Sequence, residues 1–294
     1  MNYFIIAVLL LMSTGLCSME YTFVKSSNGE EVSLKELTSK LVKDDVVFFG
    51  ELHDDSLLHH LEATLFEAMA DKNKRVVLSM EMFETDNQEA LTKYVRGEYS
   101  EEEFKANVRL WPNHYPDYEP LLQIAKRYKR DVIAANVPRR YAGRIVREGE
   151  DYIETLPADE RKLLARKLVV LDDDYKTKFF ATMSGMGGKR KMAMQGDDMV
   201  MKIYKAQCLK DDTMAESIYD YMKENKKAKV LHINGDFHSS NHLGTAQKVA
   251  LLNPKLDISV ITPVPFEVGS KLEWDSSLTP LGDYLILFER VEKE

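Results

Sequence analysis

Cysteine is nearly absent: the 294-residue chain carries only Cys17 and Cys208. With Cys17 in a segment expected to be processed, Cys208 has no internal partner, which argues against a disulfide framework. A lone cysteine inside Tyr204 to Tyr221, which reads as helix, behaves as a small buried apolar residue and receives no role. Positive charge is also short. A net charge of −8 and a pI near 5.5 argue against a nucleic-acid surface, which presents a basic face. Lys189, Arg190 and Lys191 form the one tight positive triplet of the second half. No internal repeat is evident. The apolar stretch Tyr3 to Met12 is too short for a comfortable membrane span. What the chain does have is 44% hydrophobic residues, enough for a substantial core in one large domain or one domain with an insertion.

The first nineteen residues read as a signal peptide. Tyr3 to Met12 supplies the apolar segment, and Ser13, Thr14 and Gly15 lead to Cys17 and Ser18, a small-residue region suited to cleavage. No Lys or Arg precedes the apolar stretch, and Leu16 stands where a lipoprotein signal prefers a small residue. Two outcomes stay open. Lipidation of Cys17 would tether the mature protein to a membrane surface, and cleavage near Ser18 would release it. The expected location is exported, either periplasmic or membrane-anchored as a lipoprotein.

Four polar clusters follow four short apolar runs. Gly50-Glu51-Leu52-His53 follows Val46 to Phe49, Glu81 follows Val76 to Met80, Asn136 follows Val132 to Ala135, and Gly235-Asp236-Phe237-His238 follows Val230 to Ile233. Such β-branched runs separated by helical stretches predict parallel strands of an α/β sheet with helices on both faces. In these sheets the ligand crevice lies beyond the carboxyl ends of the strands, so residues remote in sequence share one pocket. Ile258 to Thr262 and Leu285 to Phe288 supply later strands.

Between Asp55 and Ala70, Leu58, Leu61, Leu65, Ala68 and Met69 recur at helical spacing, with Asp54, Asp55 or Ser56 available as cap. The stretches 86–99, 101–110, 118–129, 158–168 and 175–183 also read as helices. The expected organisation is a core of residues 20–141 and 199–294, interrupted by a helical insertion over 142–198. The chain returns to the sheet through a long helix from Met199 to Asn225. Met183, Met186, Met192, Met194, Met199 and Met201, with Gly185, Gly187, Gly188 and Gly196, read as a loop whose thioethers fill gaps or line a cavity rather than ligate a metal.

Glu51 and His53 are two residues apart in an extended segment and therefore emerge on one face. Burying a carboxylate is costly without an imidazole or a cation beside it. Each cluster has an ordinary structural explanation: a Glu51–histidine pair that only orders the crevice, a salt bridge from Glu81 to Arg139 or Arg140, a helix cap at His238. Their joint occurrence at four strand ends argues for a site. Glu51, His53, Glu81 and His238 are the candidate ligands for a divalent metal. Of His59 and His60, at most one faces inward, and His59 is preferred. His232, inside a strand, reads as a core residue.

Gly50-Glu51-Leu52-His53-Asp54 with His59, Met80-Glu81-Met82-Phe83 with Gln88, Ala134 to Arg139, Tyr204 to Gln207 with Asp212, Met214 and Ala215, and Gly235 to His238 together resemble the ChaN-type haem-binding lipoproteins. The resemblance spans roughly Val46 to Thr262. It implies an exported protein that binds haem for haem or iron uptake, as a homodimer, with an outer-membrane haem or iron transporter as partner. It also implies Tyr204 as axial ligand, Tyr175 as fallback, and His53, His59 and His238 near the haem. A tyrosinate suits ferric iron. The chain departs from the family where the insertion carries methionines in place of polar or histidine residues.

The Gly-Glu-x-His of Gly50 to His53 and the Gly-x-x-His of Gly235 to His238 also resemble erythromycin-esterase-like and Tiki/TraB-like proteins. That likeness implies an alternative, a metal-dependent hydrolase in which Glu51, His53, Glu81 and His238 hold a divalent cation or activate water.

Overall fold

The computed structural model describes residues 20–291, with the side chains of residues 185–197 left out of the description. The signal peptide over 1–19 and Cys17 therefore lie outside the described residues. Seven strands form one sheet: β1 (Tyr21–Lys25), β2 (Val46–Glu51), β3 (Val76–Glu84), β4 (Val132–Asn136), β5 (Lys229–Gly235), β6 (Ile258–Glu267) and β7 (Tyr284–Arg290). Their order is β1-β7-β6-β2-β5-β3-β4. Every neighbouring pair is parallel except β1 with β7.

All six residues of β2 and eight of the nine in β3 are buried, as expected of parallel strands covered on both faces. The helices are α1 (Leu34–Leu41), α2 (Ser56–Lys72), α3 (Gln88–Val95), α4 (Glu101–Asn107), α5 (Glu119–Tyr128), α6 (Arg139–Glu148), α7 (Ala158–Arg161), α8 (Asp174–Glu224) and α9 (Gly244–Leu252). One face of the sheet packs Val47, Phe49, Leu78 and Met80 against Leu58, Leu65 and Met69 of α2 and Leu121 of α5. The other packs Phe48, Val77 and Val230 against Met214 and Ile218 of α8 and Val249 of α9. The sequence thus yields a three-layered α/β fold. No helix among the described residues is long and apolar enough to cross a membrane.

The edge strand β1 was not anticipated. The methionine- and glycine-rich segment lies within α8, but the Phe179 and Tyr204 rings are 5.3 Å apart, where 25 residues of straight helix would hold them about 38 Å apart, so the chain doubles back between these two residues. Val200, Tyr204 and Cys208 of α8 pack against Tyr175 and Phe179 of its first turns. Met186, Met192, Met194 and the Lys189–Lys191 triplet fall among the side chains outside the description.

Candidate functional site

Strands β2, β5, β3 and β4 are consecutive in the sheet, so the polar residues at their carboxyl ends meet. They line a crevice of about 670 Å³ with Glu51, His53, Glu81, Asn136, Asp236, Phe237 and His238 in its wall, joined by Trp111, Gln207, Arg139, Lys210 and Arg290. Two glycines permit the close approach. A Cβ at Gly235 would sit 2.8 Å from the His53 ring and 3.6 Å from Glu81 Oε2, and one at Gly50 would sit 2.8 Å from Asp236 Oδ1.

Glu51 is buried, and its two oxygens face different ways. Oε1 takes His53 Nδ1 at 2.5 Å and the Tyr118 hydroxyl at 2.9 Å. Oε2 faces inward, 3.0 Å from His59 Nδ1. Burial alone would raise this carboxyl, but hydrogen bonds from His53 and His59 outweigh it and hold it at about 2. Burial likewise opposes the His59 imidazolium, and Glu51 and Glu62 overcome it, lifting His59 to about 11. Glu62, buried beside Glu51, is pushed well above the carboxylate range by burial and by its acidic neighbour. His53 is raised too, as its bond to Glu51 outweighs the loss of solvent.

Across the crevice, Glu81 Oε2 accepts the Gly235 N–H at 2.8 Å, and Oε1 lies 3.3 Å from His238 Nε2. His238 Nδ1 lies 2.6 Å from Asp211 Oδ1, which also accepts the Thr245 hydroxyl, while Tyr175 donates to Oδ2. The result is a buried carboxylate–imidazole–carboxylate chain. Burial works against ionisation in it, but Glu81 and Asp211 raise His238 to about 10, and His238 holds Glu81 well below the usual range.

The structure therefore brings Glu51, His53, Glu81 and His238 together. Glu81 pairs with His238, and Arg140 pairs with Asp86. His59 is buried under the crevice and His60 is exposed. Tyr204 is not brought to the crevice. Its ring is fully buried, its hydroxyl donates to the Leu171 carbonyl at 3.0 Å, and burial pushes its pKa up. Tyr175 is buried as well, behind Phe237, with its hydroxyl committed to Asp211. His232 is a core residue held neutral, its pKa lowered by burial to about 3.

Sequence reasoning missed Asp211 and Glu62. Asp211 lies three residues from Cys208 and from Met214, buried members of the α8 stripe, and Glu62 lies three residues from His59 on the inner face of α2. A carboxylate in register with a buried stripe was the available signal.

Fold and site together define an α/β protein with an acidic and imidazole-lined crevice at the carboxyl edge of a parallel sheet. The sequence pattern of the family described as "Haem-binding uptake, Tiki superfamily, ChaN" matches residues 37–249, and the chain belongs to that family. The solved structure described as cofacial heme binding to ChaN of Campylobacter jejuni is similar, with a TM-score of 0.70 at 18% identity, covering 91% of this chain and 96% of that one. A mutant erythromycin esterase EreC in its open conformation shows a TM-score of 0.49 at 12% identity, over 92% of this chain and 83% of that one. Among curated proteins, the chloroplastic protein RETICULATA-RELATED 5 of Arabidopsis thaliana is 29% identical over 136 residues. That match takes in 44% of this chain, and the chain spans about a fifth of that relative's length, 18%.

Proposed function

We propose that the crevice binds haem, with His53 toward the iron and the cationic rim toward the propionates. The observation that carries this reading is the state of His53. Its side chain is 45% exposed, whereas those of His59 and His238 are almost wholly buried. Its Nδ1 is held by Glu51, the carboxylate–imidazole arrangement that orients a metal-binding histidine and raises its basicity. Haem supplies a ferric iron that takes an axial base and two carboxylates that take cations. Arg139, Lys210 and Arg290 line the same cavity, and Trp111 packs edge-on to His53 with ring centroids 5.0 Å apart. Ligation by Tyr204 would require breaking its bond to Leu171 and unburying a whole ring. Family membership supports a role in haem uptake. Export, a lipid on Cys17, a homodimer and a transporter that receives the haem complete the proposal, on the strength of the N-terminal sequence pattern and the resemblance.

Titration of the purified protein with haemin tests the reading. A Soret shift saturating at one haemin per chain is expected, with affinity at least about tenfold weaker in His53→Ala, the loss of one axial bond, and unchanged in Tyr204→Phe. Wild type without a Soret shift, or His53→Ala binding as wild type does, would overturn it.

The Asp211–His238–Glu81 chain favours a second reading, metal-assisted hydrolysis with His238 transferring protons. Hydrolysis of nitrophenyl esters by metal-supplemented protein, lost in Glu81→Gln, would support it. Inactive protein would set it aside.

A further inference from the structure

Below the crevice floor, Glu51, His59 and Glu62 each offer a ligand atom, all within 4.8 Å of one another, and all three residues are buried. Helical geometry places His59 and Glu62 on one face of α2, and the end of β2 delivers Glu51 opposite them. Glu62 Oε1 has no hydrogen-bond partner, and Glu51 Oε2 has none of good geometry, its neighbour being His59 Nδ1 at 3.0 Å. Both belong to side chains no more than 1% exposed. Unsatisfied carboxylate oxygens at that depth are expensive, and an acidic pair compounds the cost.

The imidazole is turned the right way to join them. His59 Nε2 faces two acceptors, the His53 carbonyl at 3.3 Å and Asp117 Oδ2 at 3.6 Å. Cation binding displaces the Nδ1 proton that His59 shares with the carboxylates, and with the Nε2 proton kept, Nδ1 then offers a lone pair on the side of Glu51 Oε2, 3.0 Å away, and Glu62 Oε2, 3.3 Å away. A histidine that ligates through one nitrogen while the other donates to a carbonyl or carboxylate is the usual arrangement at metal sites.

We propose that Glu51, His59 and Glu62 form a buried site for a first-row divalent cation, which shares Glu51 alone with the Glu51, His53, Glu81 and His238 set that opens into the crevice. Two carboxylates and a neutral imidazole balance a charge of +2, and this mixed oxygen and nitrogen set suits manganese, iron, cobalt or zinc rather than calcium. Because Glu51 uses Oε1 for His53 and Oε2 for the inner cluster, a cation there would also fix the orientation of His53.

The test uses chelator-treated full-length protein and Co²⁺ alone, with no haemin present, so its outcome is independent of the haem reading. Wild type is expected to take up one Co²⁺ per chain with visible d–d absorption and a rise in Tm. Glu62→Gln and His59→Gln should lose both signals, and Glu81→Gln should keep them. The Tm shift is read within each variant, so a difference in baseline stability cancels. Wild type with no uptake and no Tm rise overturns the proposal, as does uptake retained in Glu62→Gln. Uptake lost in Glu81→Gln overturns it too, by moving the cation into the crevice.

Discussion

His238 lies buried between Asp211 and Glu81. Its pKa in the folded protein, about 10, lies above the ordinary 6.5. The stability it contributes is therefore complete below pH 6.5 and lost as pH rises toward 10. His59, raised to about 11, acts in the same direction. Glu81, held below its ordinary 4.5, contributes stability above that pH and loses it in stronger acid. Tm is expected to fall between pH 6.5 and 10, and to fall less steeply in His238→Gln. Equal slopes in thermal melts of the two proteins would remove this account. Asp211→Ala should destabilise by about 3–5 kcal/mol in urea melts, the cost of leaving a buried charge without its partner. Glu51, His53, Glu81 and His238 were legible because each ends an apolar run. Asp211 and Glu62 were not, because a charged residue within a long amphipathic helix reads as solvated until packing reveals which face it occupies.

Elements set the angles at which these side chains arrive. Asp55 caps the start of helix α2, its carboxylate accepting the Leu57 and Leu58 amides at 3.1 Å. Asp55→Ala should cost about 1 kcal/mol in urea melts, the usual worth of an N-cap. The end of β5 has a different role. Gly235→Ala would press a methyl group against the His53 ring, which is half exposed and able to swing away. Little change in Tm, with haemin affinity lowered by about tenfold, is expected for a shift of one ligand by around 1 Å; a large drop in Tm with unchanged affinity would show that the glycine serves packing alone. The four central strands were readable from β-branched runs that end in polar residues. β1 was not, since its partner strand β7 lies more than 250 positions away and locally it forms only the single bridge Val24–Glu31. Helices on either side of the glycine-rich segment were readable from spacing; that Phe179 and Tyr204 meet across it, with ring centroids 5.3 Å apart, was not, because it depends on packing between residues 25 positions apart.

At the scale of the whole molecule, the sheet is a device for convergence. Residues at 51, 81 and 238 are distant along the chain, and the parallel order β2-β5-β3 gathers them at one edge. The fold class followed from alternation of strand and helix. The accessible imidazole of the crevice did not, because Tyr175 and Tyr204, implied by resemblance, are buried and only the folded chain shows that His53 stays half exposed. An anomalous difference map from crystals grown with haemin, collected at the iron edge, measures the position of the iron directly. An iron peak in the crevice beside His53, between the ends of β2 and β5, is the expected result. A peak beside Tyr204, or on a surface remote from Glu51, His53, Glu81 and His238, would contradict the account.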